Sequence, residues 1–355
     1  MMQPIVLDTS FDAVKVLDSY KALIWTERYS SAGDFEFHAP ASTELIDVMR
    51  IGRYLYLSES DTLMIIERIE IRTDIDDGDT LTVSGSSLSS ILARRIIWSE
   101  TILDGYLEGQ IQKLLNQNVI SASDQSRRIS NFIFAASGDS SIAAMTIKSQ
   151  YTGENLYKTI TEICEERGLG FKVSFNDSNQ FVFKLINGKD RSYSQNAESY
   201  VVFSPRFDNL IESDYKNDKS NCKTIALIAG EGNGNLRVRT TLEIESGLSG
   251  INRREIYVDA RDIQKSNEMT DAEYLEVLRQ RGKEKMSEYE EEKSFGASME
   301  VNIGFKFGVD FFLGDIVQVE NQYGISGRCR VIELIRSMKP TGYYEYPTFK
   351  MLEDN

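Results

Sequence analysis

Apolar and polar residues alternate over short runs through the first quarter of the chain. Ala13–Asp18, Lys21–Tyr29, Gly33–His38, Arg53–Ser58, Thr62–Ile75 and Thr80–Gly85 carry this pattern, clearest where Tyr54, Tyr56 and Ser58 are set against Leu55 and Leu57. Gly, Asn and Asp punctuate the runs. A period of two predicts strands with one buried face, and six strands by residue 85 predict a closed or nearly closed barrel. The period then changes. Leu88, Ile91, Leu92 and Arg95 within Ser87–Arg95 are spaced as on a short helix, which either plugs one barrel end or leads out of it. Arg94 and Arg95 fall at its C-terminus, where cations are favoured.

From about Tyr106 the texture is mixed. Ile111, Leu114 and Leu115 mark a helix, followed by the Ser-rich stretch Ser121–Ser130 and by Asn131–Ala136. A better helical signal lies in Glu154–Arg167, where Leu156, Ile160, Ile163 and Cys164 share a face and Gly168 supplies a left-handed C-cap. Strands Phe171–Phe175 and Phe181–Ile186 follow across the turn residues Asn176 to Asn179. This region reads as an inserted α+β domain.

Strand patterns return over Tyr200–Ile244, and a second long helix follows Arg253. Thr270 and Glu273 form a capping box, after which Ala272, Leu275, Arg279, Gly282, Met286 and Tyr289 step by three or four. Glu276, Glu284, Glu288, Glu290, Glu291 and Glu292 crowd its other side, which predicts a solvated face. Met299–Phe305, Asp315–Asn321, Arg328–Met338 and Tyr343–Met351 read as the strands of a second barrel. The fold class is therefore mainly β (α+β), with two tandem barrel-like domains. The expected boundaries are 1–100, completed by about 198–225, for the first; 101–197 for the insertion; and 226–355 for the second, with a helical insertion at about 266–294.

An internal repeat supports the second barrel. Ile51-Gly52-Arg53-Tyr54-Leu55-Tyr56-Leu57 followed by Ile66-Glu67-Arg68-Ile69 resembles Leu313-Gly314-Asp315-Ile316-Val317-Gln318-Val319 followed by Ile332-Glu333-Leu334-Ile335. Each is a Gly-started strand, a turn and a return strand. A longer loop through Tyr323-Gly324 absorbs the four extra residues of the second copy.

Composition narrows the function. Of 355 residues, 41% are apolar and 27% charged, and 55 acids against 40 bases leave a net charge of −15, which weighs against a protein built to grip nucleic-acid phosphates. The run Thr224–Ala229 is far shorter than the roughly 18 apolar residues a membrane helix needs. The start MMQPIVLDTSFD has no basic stretch followed by an apolar one, so a secretory signal is not expected and the chain is expected to fold in the cytosol that makes it. Cys164, Cys222 and Cys329 are dispersed and read as small buried hydrophobes. His38 is the one histidine, which excludes two-histidine metal sites; its alternation with Phe35 and Phe37 puts it on the polar side of a strand.

Several local patterns fail on their chemistry. Asp74-Ile75-Asp76-Asp77-Gly78-Asp79 has Asp79 and Gly85 where an EF-hand needs Gly and Glu, and reads as a hairpin turn. Gly230-Glu231-Gly232-Asn233-Gly234-Asn235 continues with strand period, whereas a phosphate cradle needs helix N-terminal amides. Arg94-Arg95, Arg127-Arg128 and Arg253-Arg254 are scattered without aromatic ladders, as interface or salt-bridge residues would be. No nucleophile elbow, Walker loop, HExxH or paired-Cys motif is present, so no catalytic, cofactor or metal residues are assigned.

Order along the chain adds a resemblance. Leu23-Ile24-Trp25-Thr26-Glu27-Arg28-Tyr29, Gly33-Asp34-Phe35-Glu36-Phe37, Gly52, Ile65-Ile66-Glu67 and Thr82-Val83-Ser84-Gly85-Ser86-Ser87-Leu88 with Arg94-Arg95 resemble the N-terminal half of the siphophage baseplate hub family. Arg253-Arg254-Glu255-Ile256-Tyr257-Val258-Asp259-Ala260-Arg261-Asp262 and Leu313-Gly314-Asp315-Ile316-Val317 follow in matching order, while Asn116–Gln150 carries no such signal. The resemblance implies a non-enzymatic, homotrimeric tail-tip hub, related in architecture to that of contractile tails, assembled in the bacterial host cytoplasm. It implies as partners a distal tail or tail-tube protein, the tape-measure C-terminus, and a spike or fibre protein, with no specific nucleic-acid binding. An acidic surface suits a channel through which DNA slides. Trp25, Arg28, Arg94, Arg95, Arg253 and Arg254 are the candidate interface residues, since aromatics and arginine are enriched at interface hot spots; the other reading makes Trp25 core and the arginines local ion pairs. A tail-tip cell-wall hydrolase and a carbohydrate-binding receptor module stand as alternatives.

Overall fold

The computed structural model describes residues 2–75, 78–210, 212–266, 269–298 and 304–352. The Asp74–Asp79 loop lies partly, and the strand expected over Met299–Phe305 mostly, outside the described residues.

The N-terminal part contains β1 (Ile5–Leu7), β2 (Ala13–Val16), β3 (Ala22–Arg28), β4 (Asp34–Pro40), α1 (Thr43–Val48), β5 (Tyr54–Tyr56), β6 (Leu63–Arg72) and β7 (Thr80–Ser87). All six alternating runs are strands, and Ser87–Arg95 yields a tight 3-10 helix, Leu88–Arg94. Leu88, Ile91 and Leu92 pack into the apolar cluster of the segment that follows, so this helix leads out of the sheet. That segment comprises β8 (Thr101–Tyr106), α2 (Leu107–Leu115), β9 (Phe132–Phe134), α3 (Ser140–Ala144), β10 (Thr146–Tyr151), α4 (Leu156–Glu166), β11 (Gly170–Phe175) and β12 (Phe181–Ile186). α4 behaves as its spacing predicts: Asn155 accepts from the Lys158 amide, Leu156, Ile160, Ile163 and Cys164 are fully buried, and Gly168 has φ +65°.

The C-terminal part contains β13 (Val202–Phe203), β14 (Glu212–Asp218), β15 (Ile225–Ala229), β16 (Arg239–Glu243), β17 (Glu255–Asp259), α5 (Asp271–Ser287), β18 (Glu292–Ser298), β19 (Ile316–Glu320), β20 (Ser326–Lys339) and β21 (Gly342–Met351). The fold is mainly β. Among the described residues one path of paired strands runs β14-β18-β21-β20-β3-β4-β7-β6-β5-β1-β2, with β19 pairing β20 and β13 pairing β19. Both ends of the sequence thus share one sheet, joined where β3 pairs with β20, Arg28 opposite Glu333 and Leu23 opposite Met338. One apolar cluster, with Trp25, Phe35, Phe37, Leu55, Ile66 and Val83, backs the β3–β7 strands. A second, with Phe203, Phe295, Phe311, Val317, Val331 and Phe349, backs β14 and β18–β21.

Three expectations are corrected. Residues 198–225 do not complete the first sheet unit: β13 pairs with β19 and β14 with β18. The insertion into the second unit is larger than 266–294, because β16-β15-β17 form a separate sheet under α5 with Ala226, Ile228, Val258, Tyr274 and Leu278 as its core. The capping box on Thr270 and Glu273 is present, but α5 ends at Ser287, so Glu290, Glu291 and Glu292 leave the helix. Glu284 is fully buried, accepting from Ser149 at 3.2 Å, and so does not lie on a solvated face. Helical period could not show this, since the covering surface is β10, more than a hundred residues away in sequence.

Candidate assembly site

The repeat seen in sequence is real in the fold. Strands β3, β4, β5, β6, β7 and strands β14, β18, β19, β20, β21 occur in the same chain order and pair in the same spatial order, β3-β4-β7-β6-β5 and β14-β18-β21-β20-β19. Gly52 and Gly314 open corresponding hairpins with φ +87° and +92°, a left-handed conformation that favours glycine. Gly52 donates to the Ile66 carbonyl and the Ile66 amide to Arg53, both at 2.8 Å; Gly314 donates to Val331 and Val331 to Asp315, at 2.8 and 2.9 Å. The structure therefore sets Ile66 against Val331, one residue from the sequence match with Ile332. A bulge lies between Ile66 and Arg68 and again between Val331 and Glu333. Followed across the ladders, this register places Phe35 in correspondence with Phe295, and Trp25 with Tyr215.

Arg28 stands where the two units join. Its Nε donates to Glu333 at 2.7 Å, and its Nη1 to the Asp34 carboxylate at 2.5 Å and the Ala32 carbonyl at 2.9 Å. The candidate interface arginine thus bridges two units of its own chain. Trp25 is fully buried, with its ring centroid 6.4 Å from that of Phe35, so its side chain offers no surface to a second subunit. That corrects its assignment as an interface residue: strand alternation puts it on the core side with Phe35.

Behind the junction lies a charged cluster that motif reading missed. Glu27 on β3 is buried, accepting from Arg336 on β20 at 2.5 Å and from Lys172 on β11 at 3.0 Å. Burial pushes its carboxyl up, but Lys172 and Arg336 outweigh this and hold it below its ordinary value. Lys172 also pairs with Asp61. Both sheet units and the β8–β12 segment meet here, beside a cleft of about 910 Å³ lined also by Tyr56, Asp61, Phe175 and Phe312. No local motif encodes this, since the partners are separated by 145 and 309 residues.

The remaining candidates are dispersed. Arg94 pairs with Glu67 at 3.0 Å, and Arg95 donates to the Arg127 carbonyl at 2.8 Å. Arg253 pairs with Glu255 at 2.5 Å, and Arg254 donates to the Lys219 carbonyl. The structure brings Trp25 and Arg28 to one strand, Arg94 and Arg95 to the exit of the first unit, and Arg253 and Arg254 to the leading end of β17, so the six do not form one surface. His38 is half-exposed on β4, its Nε2 2.5 Å from Glu36 and its Nδ1 3.2 Å from the Thr82 hydroxyl. Burial pushes the Cys164 and Cys329 thiols up to about 12, whereas Cys222 is only half-buried. Among the described residues no group of three His, Cys, Asp or Glu side chains is placed to hold a metal ion, and no helix is long and apolar enough to cross a membrane.

Solved tail proteins share this fold. The tail protein from Neisseria meningitidis MC58 is 13% identical with a TM-score of 0.58, over 99% of this chain and 97% of that one. The 43 kDa tail protein of prophage MuSo2 from Shewanella oneidensis is 11% identical with a TM-score of 0.59, over 98% of each chain. Prophage tail protein gp18 from Listeria monocytogenes EGD-e is 14% identical with a TM-score of 0.54, over 99% of this chain and 95% of that one. Comparison with curated proteins gives no match. The model of the family described as Siphovirus ReqiPepy6 Gp37-like protein matches residues 4–349, and the chain belongs to that family.

Proposed function

We propose that this protein is a structural hub of a phage tail: a homotrimeric ring at the tail tip that joins the tube to a spike or fibre and surrounds the DNA channel. The observation that carries this reading is the duplicated sheet unit, two copies joined edge to edge through β3 and β20. Three such chains hold six copies, a ring with threefold symmetry and sixfold character, suited to a sixfold tube on one side and a threefold tip on the other. The sheet face turned from the core carries matched charges, Arg28 with Asp34 and Arg68 with Glu70, and Glu36 lies beside His38. A channel lined by that face presents no excess of cations to passing DNA. The partners that fit are a distal tail or tail-tube protein, the tape-measure C-terminus, and the spike or fibre, and the role requires no catalysis.

Light scattering across a concentration series, with negative-stain imaging, tests the reading. A mass near three times 40.3 kDa and a ring-shaped projection support it. A chain that stays monomeric at tens of micromolar and binds none of these partners overturns it.

A further inference from the structure

We infer that the sheet continues into a second copy of this chain, by antiparallel pairing of the outer half of β6 (Arg68–Arg72) with β14 (Asp214–Asp218) of the neighbour. The junction within the chain is the template. In the second unit one edge of β20 is used twice: β19 covers Ser326–Arg330, and β3 covers Glu333–Met338. In the first unit β5 covers Leu63–Ile65 of the corresponding strand, and among the described residues no strand covers the same edge at Arg68–Arg72. Arg68, Glu70, Ile71 and Arg72 are exposed there, Ile71 by 49%. β14, the counterpart of β3, pairs with β18 on one edge and with no described strand on the other. The chain therefore holds one complete copy of this junction and both unpaired halves of another, at opposite ends of an eight-strand path, β14-β18-β21-β20-β3-β4-β7-β6. Two open strand edges of this kind are a template for pairing with a second molecule.

The repeat also fixes the register. Glu333 lies opposite Arg28 in the junction; their counterparts are Arg68 and Asp218, and the next same-face positions set Glu70 opposite Lys216 and Arg72 opposite Asp214. All three pairs have opposite charge, as Arg28 and Glu333 do at 2.7 Å. On the core face Ile71 meets Tyr215, where the junction sets Arg336 opposite Trp25. A slip of two residues keeps the faces but sets Arg68 against Lys216 and Glu70 against Asp214, which like charges disfavour. The pairing itself rests on the repeat; closure after three chains rests on the hub reading.

Disulfide trapping and charge reversal separate the two. Tyr29 donates to Ile332 in the junction, so the adjacent 333/28 pair, and with it 70/216, is a non-hydrogen-bonded pair. Cα atoms of such pairs approach to about 4.5 Å, within disulfide reach. In a Cys222→Ser background of the full chain, Glu70→Cys with Lys216→Cys is expected on oxidation to give covalent multimers ending at three chains, and neither single variant does so. Arg68→Glu with Arg72→Glu is expected to raise the concentration for assembly about tenfold or more, and adding Asp214→Lys with Asp218→Lys to restore it. Circular dichroism and melting of each variant confirm that it folds. A trimer by mass that neither cross-links nor responds to reversal overturns the pairing and leaves the hub standing. A ladder running past three chains supports the pairing and overturns the closed ring, and a persistent monomer overturns both.

Discussion

Arg281 on α5 and Glu154 just before α4 meet at 2.8 Å, fastening the β15–α5 segment to the β8–β12 segment. Arg281 is only 2% exposed; it also pairs with Asp262 at 3.0 Å, donates to the Gln150 carbonyl at 2.7 Å and lies 5.0 Å from the centre of the Tyr151 ring. Burial pushes the Glu154 carboxyl up, and Arg281 opposes that shift. Replacing one partner of a covered ion pair leaves the other uncompensated, at a cost of about 3–5 kcal/mol. Arg281→Met is expected to lose stability on that scale in urea denaturation, with Arg281→Lys intermediate. Without the arginine Glu154 rises further. A carboxyl raised on folding stabilises below its unfolded value and loses that contribution as pH rises through the folded value, so the deficit is larger at pH 8 than at pH 5.

The Glu27–Arg336 contact is expected to couple the two sheet units energetically. Arg336→Met leaves Glu27 buried with Lys172 as its remaining cation, whereas Glu27→Leu together with Arg336→Met removes both charges and leaves Lys172 with Asp61. A double-mutant cycle should give an interaction energy of roughly 1–3 kcal/mol, the double variant losing less than the sum of the singles. Additivity within about 0.5 kcal/mol would separate the units energetically and remove this contact from the junction.

Gly52 and Gly314 hold corresponding positions but differ in surroundings, which predicts unequal costs. Alanine at either must adopt a φ near +90°, at roughly 1–2 kcal/mol. A Cβ at Gly52 meets nothing within 4 Å, while one at Gly314 falls 2.2 Å from Tyr29 Cε2. Tyr29 is buried and its hydroxyl donates to the Ile186 carbonyl at 3.0 Å, so the ring has little freedom to withdraw. Gly314→Ala should therefore lose about 1–3 kcal/mol more than Gly52→Ala. Equal melting temperatures would place Tyr29 outside the constraint.

How much of this was legible follows from where each signal resides. Strands β2 to β7 and α4 were readable because a half-buried strand or helix writes its face into a short window, as Phe35 and Phe37, or Ile160 and Ile163, do, whereas the three-residue β1 was not read. The hairpin repeat was readable through its glycines, which backbone geometry demands, but its bulges were not, and the match slipped by one residue. The Glu27, Lys172 and Arg336 cluster, and separately the contact of Arg281 with Glu154, were invisible because their partners lie on other elements. The alternation Arg68-Ile69-Glu70-Ile71-Arg72 was visible as a strand; that its charges mirror those of Asp214, Lys216 and Asp218 appears only when the repeat supplies the register. Trp25 was misplaced because an aromatic in an alternating strand carries the same sequence signal in a core as at an interface.

Glu162 on α4 contacts α5, joining the same two segments that Arg281 fastens, and this contact is expected to depend on pH. Its buried carboxylate is 2.5 Å from Lys285 on α5, with Lys158 at 3.6 Å; Glu288 lies 3.4 Å from Lys285 and 3.5 Å from Lys158. Burial and a hydrogen bond to Glu288 push Glu162 up to about 7 against the pull of Lys285, while the Glu288 carboxyl is held below its ordinary value. Because the folded value is raised, this group's contribution is fully present below pH 4.5 and is lost as pH rises through about 7. Glu162→Gln keeps a donor toward Glu288 at every pH and removes that titration. The wild-type melting temperature should therefore fall relative to the variant between pH 5 and 8, by about 2 °C for each kcal/mol involved. Melting curves that shift in parallel across this range would show that Glu162 ionises in the ordinary carboxylate range and that the contact between α4 and α5 does not respond to pH.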